Sequence, residues 1–83
     1  MTPEDISARI RKALPDAEVR VVDTTGTGDH FAATVISAAF VDKGMVDRHR
    51  LVYAALSEVI HGPAAPIHAL ALTTETPEEY KRK

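Results

Sequence analysis

Apolar residues first recur at every fourth position, Ile6, Ile10 and Leu14, which predicts one stripe on a helix of about three turns. Thr2 suits its N-cap and Pro3 its first position, while Glu4 and Asp5 answer the positive end of the helix dipole; Pro15 and Asp16 stop it. The period then drops to two. Residues 17–24 read A-E-V-R-V-V-D-T, a β-branched strand, and residues 25–29, T-G-T-G-D, supply a flexible turn. A returning strand over residues 30–37 puts Phe31, Ala33 and Val35 on one face and Ala32, Thr34 and Ile36 on the other. Residues 37–46 form a connector anchored by Phe40. Asp47 is the expected N-cap of a second long helix, about residues 48–61, with Leu51, Val52, Ala55, Leu56 and Val59 as its apolar side and Gly62 then Pro63 ending it. Residues 67–73 alternate as a strand. Thr76 followed by Glu79 makes a capping box for a last helix, closed by the cations Lys81, Arg82 and Lys83. The order α-β-β-α-β-α predicts a single small α+β domain over residues 1–83, a three-stranded sheet with helices packed on one face. Phe31 and Tyr53 read as core.

Composition narrows the function classes. A chain of 83 residues builds one modest core, of about 3–5 kcal/mol net stability, and leaves little room for a large catalytic cleft. A formal charge of −2 offers no bulk excess of cation for phosphate. With no cysteine, a disulfide framework and a thiolate metal site within the chain are both excluded, so any metal is held through nitrogen or oxygen. The opening M-T-P-E-D is acidic where a signal peptide is basic, and no apolar run approaches membrane-spanning length; the expectation is a soluble, cytoplasmic protein with no membrane partner. No spacing proposes a nucleophile with its base, so an enzyme is not expected. Gly26-Thr27-Gly28 lacks the spacing and context of a nucleotide-binding loop.

Three blocks carry more. H-F-A-A-T-V-I-S-A-A-F from His30, R-H-R-L-V-Y-A-A-L from Arg48 and I-H-A-L-A-L-T-T-E-T-P-E-E-Y from Ile67 stand in the order and at the spacing of the BolA family, which the chain resembles over most of its length. The resemblance implies a fold similar to the class II KH domain. It also implies a non-enzymatic adaptor that binds a monothiol glutaredoxin and shares a two-iron, two-sulfur cluster with it and with glutathione. Such a cluster is not retained by the chain alone, and the expected setting is iron-sulfur cluster trafficking or iron regulation. Some members of the family are treated instead as DNA-binding transcriptional regulators, so DNA through the KH-like face is the alternative partner. The chain on its own is expected to be a monomer or a weak homodimer.

The family's cluster-ligating histidine aligns with His68 in Ile67-His68-Ala69-Leu70. Imidazole is a good iron ligand, one nitrogen binding while the other is oriented by an acceptor. By strand parity His68 falls with Leu70 and Leu72, so the other reading is a histidine at the edge of a partly buried face. The second ligand departs from the family pattern, because the 25–29 turn contains neither His nor Cys. His30 is the candidate, against an ordinary exposed loop histidine, and Asp29 is a harder, weaker substitute. Lys43, Arg48, His49 and Arg50 form a candidate basic patch for a partner or for nucleic acid, against the reading in which the arginines pair with Asp42, Asp47 or other carboxylates. The family commonly has Gly-Lys after the connector Phe; here Asp42 precedes Lys43 and the glycine is displaced to Gly44. No G-x-x-G loop of a true KH domain is present. His61 is expected only to favour the end of its helix.

Overall fold

The computed structural model describes residues 1–82, so Lys83 of the expected basic helix end lies outside the described residues. Helix α1, Pro3–Ala13, starts with the expected cap: the Asp5 N–H donates to the Thr2 hydroxyl and the Thr2 N–H to the Asp5 carboxylate, both at 3.2 Å. Its stripe is the one the sequence predicts, since Ile6 and Ile10 are fully buried and Leu14 nearly so. Strands β1, Glu18–Asp23, and β2, His30–Ile36, pair antiparallel with Val21 opposite Ala33. Strand β3, Ala69–Glu75, pairs parallel to β2 with Leu72 opposite Ala33, giving the order β1-β2-β3. A parallel pair needs a crossover. It is made by a 3₁₀ turn at Ala38–Phe40, helix α2 at Met45–Ala55 and the single turn α3 at Ser57–Ile60. The last helix, α4, is Pro77–Lys81, and its capping box between Thr76 and Glu79 is formed.

The α+β architecture with a three-stranded sheet is therefore present, and no helix among the described residues is long and apolar enough to cross a membrane. Phe31 and Val35 of β2 meet Ile6, Ile10, Val52, Leu56 and Val59 in one core, with Val19, Val21, Leu70 and Leu72 against it. Phe40 is wholly buried there, as a connector anchor should be. Tyr53 is not a core residue: it is half-buried and lies edge-on to His49, ring centres 6.4 Å apart. Helix α4 reaches the outward side of the sheet. Its Tyr80 hydroxyl accepts from the Arg20 guanidinium at 2.7 Å, and Arg20 alternates with the inward Val19 and Val21.

Helix α2 and strand β3 differ from the sequence pattern at three boundaries, for identifiable reasons. Helix α2 is capped by Gly44, not Asp47, and begins with the exposed Met45 and Val46. It also breaks at Leu56, where a tighter turn brings the Leu56 N–H onto the Tyr53 carbonyl at 3.1 Å and leaves both Leu56 and Val59 buried. Strand β3 starts two residues late because the preceding backbone is used elsewhere: the Ile67 N–H donates to the Val59 carbonyl and the His68 N–H to the Asp29 carbonyl, at 3.0 and 2.8 Å. Alternation therefore does not reach back to 67 and 68. Ile67 is buried and His68 is exposed, the reverse of what strand parity predicts.

The connector also resolves the displaced glycine. Asp42 stands in the left-handed region with φ 63°, so the position still demands the conformation that glycine adopts most easily, whereas Gly44 has an ordinary negative φ.

Candidate functional site

The turn between β1 and β2 is built around one carboxylate. Asp23 Oδ1 accepts from the Thr25 and Gly26 N–H groups and Oδ2 from the Gly28 N–H, at 3.2, 2.8 and 2.9 Å. Gly26 and Gly28 both take positive φ, which lets the chain wrap that side chain. The turn delivers Asp29 and His30 to the end of the sheet where β2 and β3 begin. Register then places His30 opposite Ala69, and the Asp29 carbonyl holds the His68 N–H, so two histidines distant in sequence meet.

Their ring centres are 6.2 Å apart and the planes nearly perpendicular. Between them lies the Asp29 carboxylate. His30 Nδ1 is 2.8 Å from Oδ1, and His68 Nδ1 stands 3.4 Å from Oδ2. The Thr27 hydroxyl donates to the same Oδ1. That hydroxyl, followed by His30, holds the Asp29 carboxyl down at about 2, so it is an anion at neutral pH. The His30 and His68 side chains are 43% and 60% exposed, and among the described residues no hydrogen bond to either Nε2 occurs. His30 is thus hydrogen-bonded through its inner nitrogen, whereas His68 Nδ1 only stands near the carboxylate, and both rings are substantially exposed. The outward neighbours on the sheet are small, Ala32, Ala69 and Ala71, and crowd neither ring.

This donor set suits iron. A carboxylate behind an imidazole fixes its orientation and raises its basicity toward a metal on the far nitrogen, and imidazole replaces thiolate on one iron in some two-iron, two-sulfur centres. Among the described residues no group of three or more His, Asp or Glu is arranged to hold a metal ion. A metal held by this pair therefore completes its coordination with ligands from outside it.

The basic residues of α2 are not brought together into one free patch. Arg48 is engaged inside the molecule: its Nε donates to the Lys43 carbonyl at 2.7 Å, and its two terminal nitrogens meet both oxygens of Glu79 at 2.7 and 3.1 Å. That fork holds the Glu79 carboxyl down at about 2. Arg50 is exposed with a long 3.9 Å contact to Asp47, and Lys43 is exposed. His49 points inward, its Nε2 buried without a hydrogen bond. The acceptor for Arg48 thus comes from α4, thirty-one residues away, and not from Asp42 or Asp47. The sequence carries a signal for Glu79 as a cap, but none for its second role as the arginine's partner.

The sequence pattern of the BolA-like protein family matches residues 6–79. Among curated relatives, BolA-like protein 1 of Bos taurus is 45% identical over 56 residues, a stretch that takes in 68% of this chain and 39% of that protein. The chain thus spans well under half the length of this relative. The DNA-binding transcriptional regulator BolA of Escherichia coli is 31% identical over 88 residues, covering 98% of this chain and 81% of the regulator. Among solved structures, a bolA protein homologue from Coxiella burnetii superposes with a TM-score of 0.76 at 40% identity, with 99% of both chains covered.

Proposed function

Since the chain belongs to the BolA family, we propose that it is a non-enzymatic adaptor that docks on a monothiol glutaredoxin and donates His68 and His30 to a two-iron, two-sulfur cluster completed by the partner's cysteine and glutathione. Its setting is iron-sulfur cluster trafficking or iron regulation in the cytoplasm. The observation that carries this reading is the pair of accessible imidazoles backed by one carboxylate, in a chain with no thiolate of its own. Such a pair is half a metal site. The cluster, when bound, supplies the iron that joins the two proteins; this chain's part is to present two oriented nitrogens on a face lined by small side chains.

The test is to purify the chain with a monothiol glutaredoxin in the presence of iron, sulfide and glutathione. A coloured heterocomplex is expected, and His68→Ala is expected to lose the visible absorption that distinguishes it from the glutaredoxin's own cluster. An unchanged spectrum and unchanged affinity in that variant would contradict the reading.

The likeness to the Escherichia coli regulator supports a second reading, binding of DNA by the KH-like face. It would draw on Lys43 and Arg50, because Arg48 and Arg82 are fastened to Glu79 and Glu78. Binding of that kind weakens steeply with salt. Gel shifts at near-physiological salt that show no complex with promoter DNA would remove it.

A further inference from the structure

Asp29 occupies a place in this site that its residue type alone does not announce. Its backbone carbonyl accepts from the N–H groups of His68 and Ala69, at 2.8 and 3.3 Å, which ties the start of β3 to the β1–β2 turn. Its side chain stands between the two rings and faces Nδ1 of each. The Thr27 hydroxyl donates to the carboxylate oxygen that His30 also meets, and Asp23 fixes the turn that carries Thr27.

An ionised carboxylate only accepts hydrogen bonds. At 2.8 Å from it, a neutral His30 ring keeps its one proton on Nδ1, leaving the Nε2 lone pair bare and outward. A neutral imidazole free in water favours the opposite form, with the proton on Nε2 and no lone pair there for a metal.

From this geometry we infer that Asp29 is the positioning residue of the site: it sets the tautomer of His30 firmly and of His68 more loosely, so that both imidazoles are ready to ligate through Nε2 before any metal arrives. The asymmetry follows from the contacts themselves: His30 Nδ1 is hydrogen-bonded to the carboxylate at 2.8 Å, whereas His68 Nδ1, at 3.4 Å, makes no hydrogen bond and feels chiefly the field of the nearby charge. Asp29 is thereby a source of preorganisation, and not itself a ligand. This inference rests on the reading of His30 and His68 as a ligand pair, yet it concerns the chain with nothing bound.

The experiment is ¹⁵N–¹H multiple-bond spectroscopy of the histidine rings in the metal-free protein, at a pH well above the ordinary histidine value of about 6.5. Wild-type protein is expected to show His30 mainly as the Nδ1–H form and His68 enriched in it, with His61 as an exposed reference near the free-imidazole distribution. In Asp29→Ala, His30 should revert to mainly Nε2–H and His68 should follow to a smaller extent. Asp29→Asn serves as the near-isosteric control, retaining the backbone contacts but replacing an acceptor-only group; a partial reversion is expected, and an amide spectrum like wild type establishes that the turn is still formed. Loss of cluster from the heterocomplex should be faster in Asp29→Ala by about tenfold or more. A wild-type His30 found mainly as Nε2–H, or a tautomer indifferent to both substitutions, overturns the inference. The two failures are distinguishable: Nδ1–H rings in a protein that forms no His68-dependent complex would sink the adaptor reading alone, whereas Nε2–H rings in a protein that does form it would sink only the role of Asp29.

Discussion

The two ends of the sheet handle their polar groups in opposite ways. Where β2 and β3 finish, the charged groups are matched within the molecule, although the buried Nε2 of His49 beside Arg48 has no hydrogen bond. Arg48 spends its guanidinium on Glu79 and on the Lys43 carbonyl, and Asp16 takes the Ser37 hydroxyl and the Ala38 N–H, each at 2.8 Å. Where β2 and β3 begin, the outer nitrogens of His30 and His68 have no hydrogen-bond partner among the described residues. A balanced cluster stabilises a fold; a cluster with accessible lone pairs left over is equipped to bind something else. That difference, more than the density of charge, separates the closed end from the end proposed to ligate the cluster.

Deep truncation at each end should give the largest contrast. Phe40, under the closed end, is wholly buried, and Phe40→Ala should cost about 3–5 kcal/mol. That matches the entire net stability typical of a domain this size, about 3–5 kcal/mol, so the variant should be largely unfolded. His68, more than half exposed at the open end, should lose no more than about 0.5 kcal/mol on replacement by Ala while losing the cluster. Urea melts of the two variants check this, and comparable losses at both sites would abolish the distinction.

A smaller effect concerns pH, and it acts at both ends: Asp29 at the open end is held at about 2 like Glu79 at the closed end, so the part that Arg48 controls is read by substitution. The folded Glu79 carboxyl sits at about 2, first because of its Arg48 partner and next because of the Thr76 N–H, against an ordinary value of 4.5. A folded value below the unfolded one means stability that is fully present above pH 4.5 and lost as pH falls toward 2. Asp16, lowered chiefly by the Ala38 N–H and then by Ser37, acts with the same sign. Arg48→Met should therefore lower Tm by several degrees at neutral pH and flatten, without abolishing, the acid limb of the Tm profile. A limb as steep as wild type would show that the fork is not its source.

Much of the scaffold could be read from sequence, and the reasons are local. Helix α1 and the Thr76 cap follow from residues within a turn of one another, and the core stripe at Ile6, Ile10 and Leu14 from a single period. Arg48 could not be read that way, because its acceptor comes from another helix and its neighbours Asp42 and Asp47 were the nearer candidates. The same limit applies to the open end. His68 was a candidate ligand through its resemblance to a family block, but parity assigned it to a half-buried face, and only the capture of its N–H by Asp29 releases it outward. By residue type Asp29 is a weak candidate ligand; that it lies behind both rings depends on a parallel register no periodicity encodes.

The smallest expected effect tests how far the closed end is optimised. Asp42 lies between the Phe40 anchor and Lys43, whose carbonyl receives Arg48, and its φ of 63° is one an L-residue holds at a cost. Asp42→Gly removes that cost but gives the unfolded chain more freedom, a penalty of about 0.5–1 kcal/mol, so the net gain should stay below about 1 kcal/mol. Asp42→Ala keeps the Cβ in a region that Ala occupies less readily than Asp, so it should destabilise by up to about 1 kcal/mol. Urea midpoints should then rank Gly above Asp above Ala. An Ala variant as stable as wild type would mean that the connector relaxes out of the left-handed conformation, and the Lys43 carbonyl would then not be held in place for Arg48.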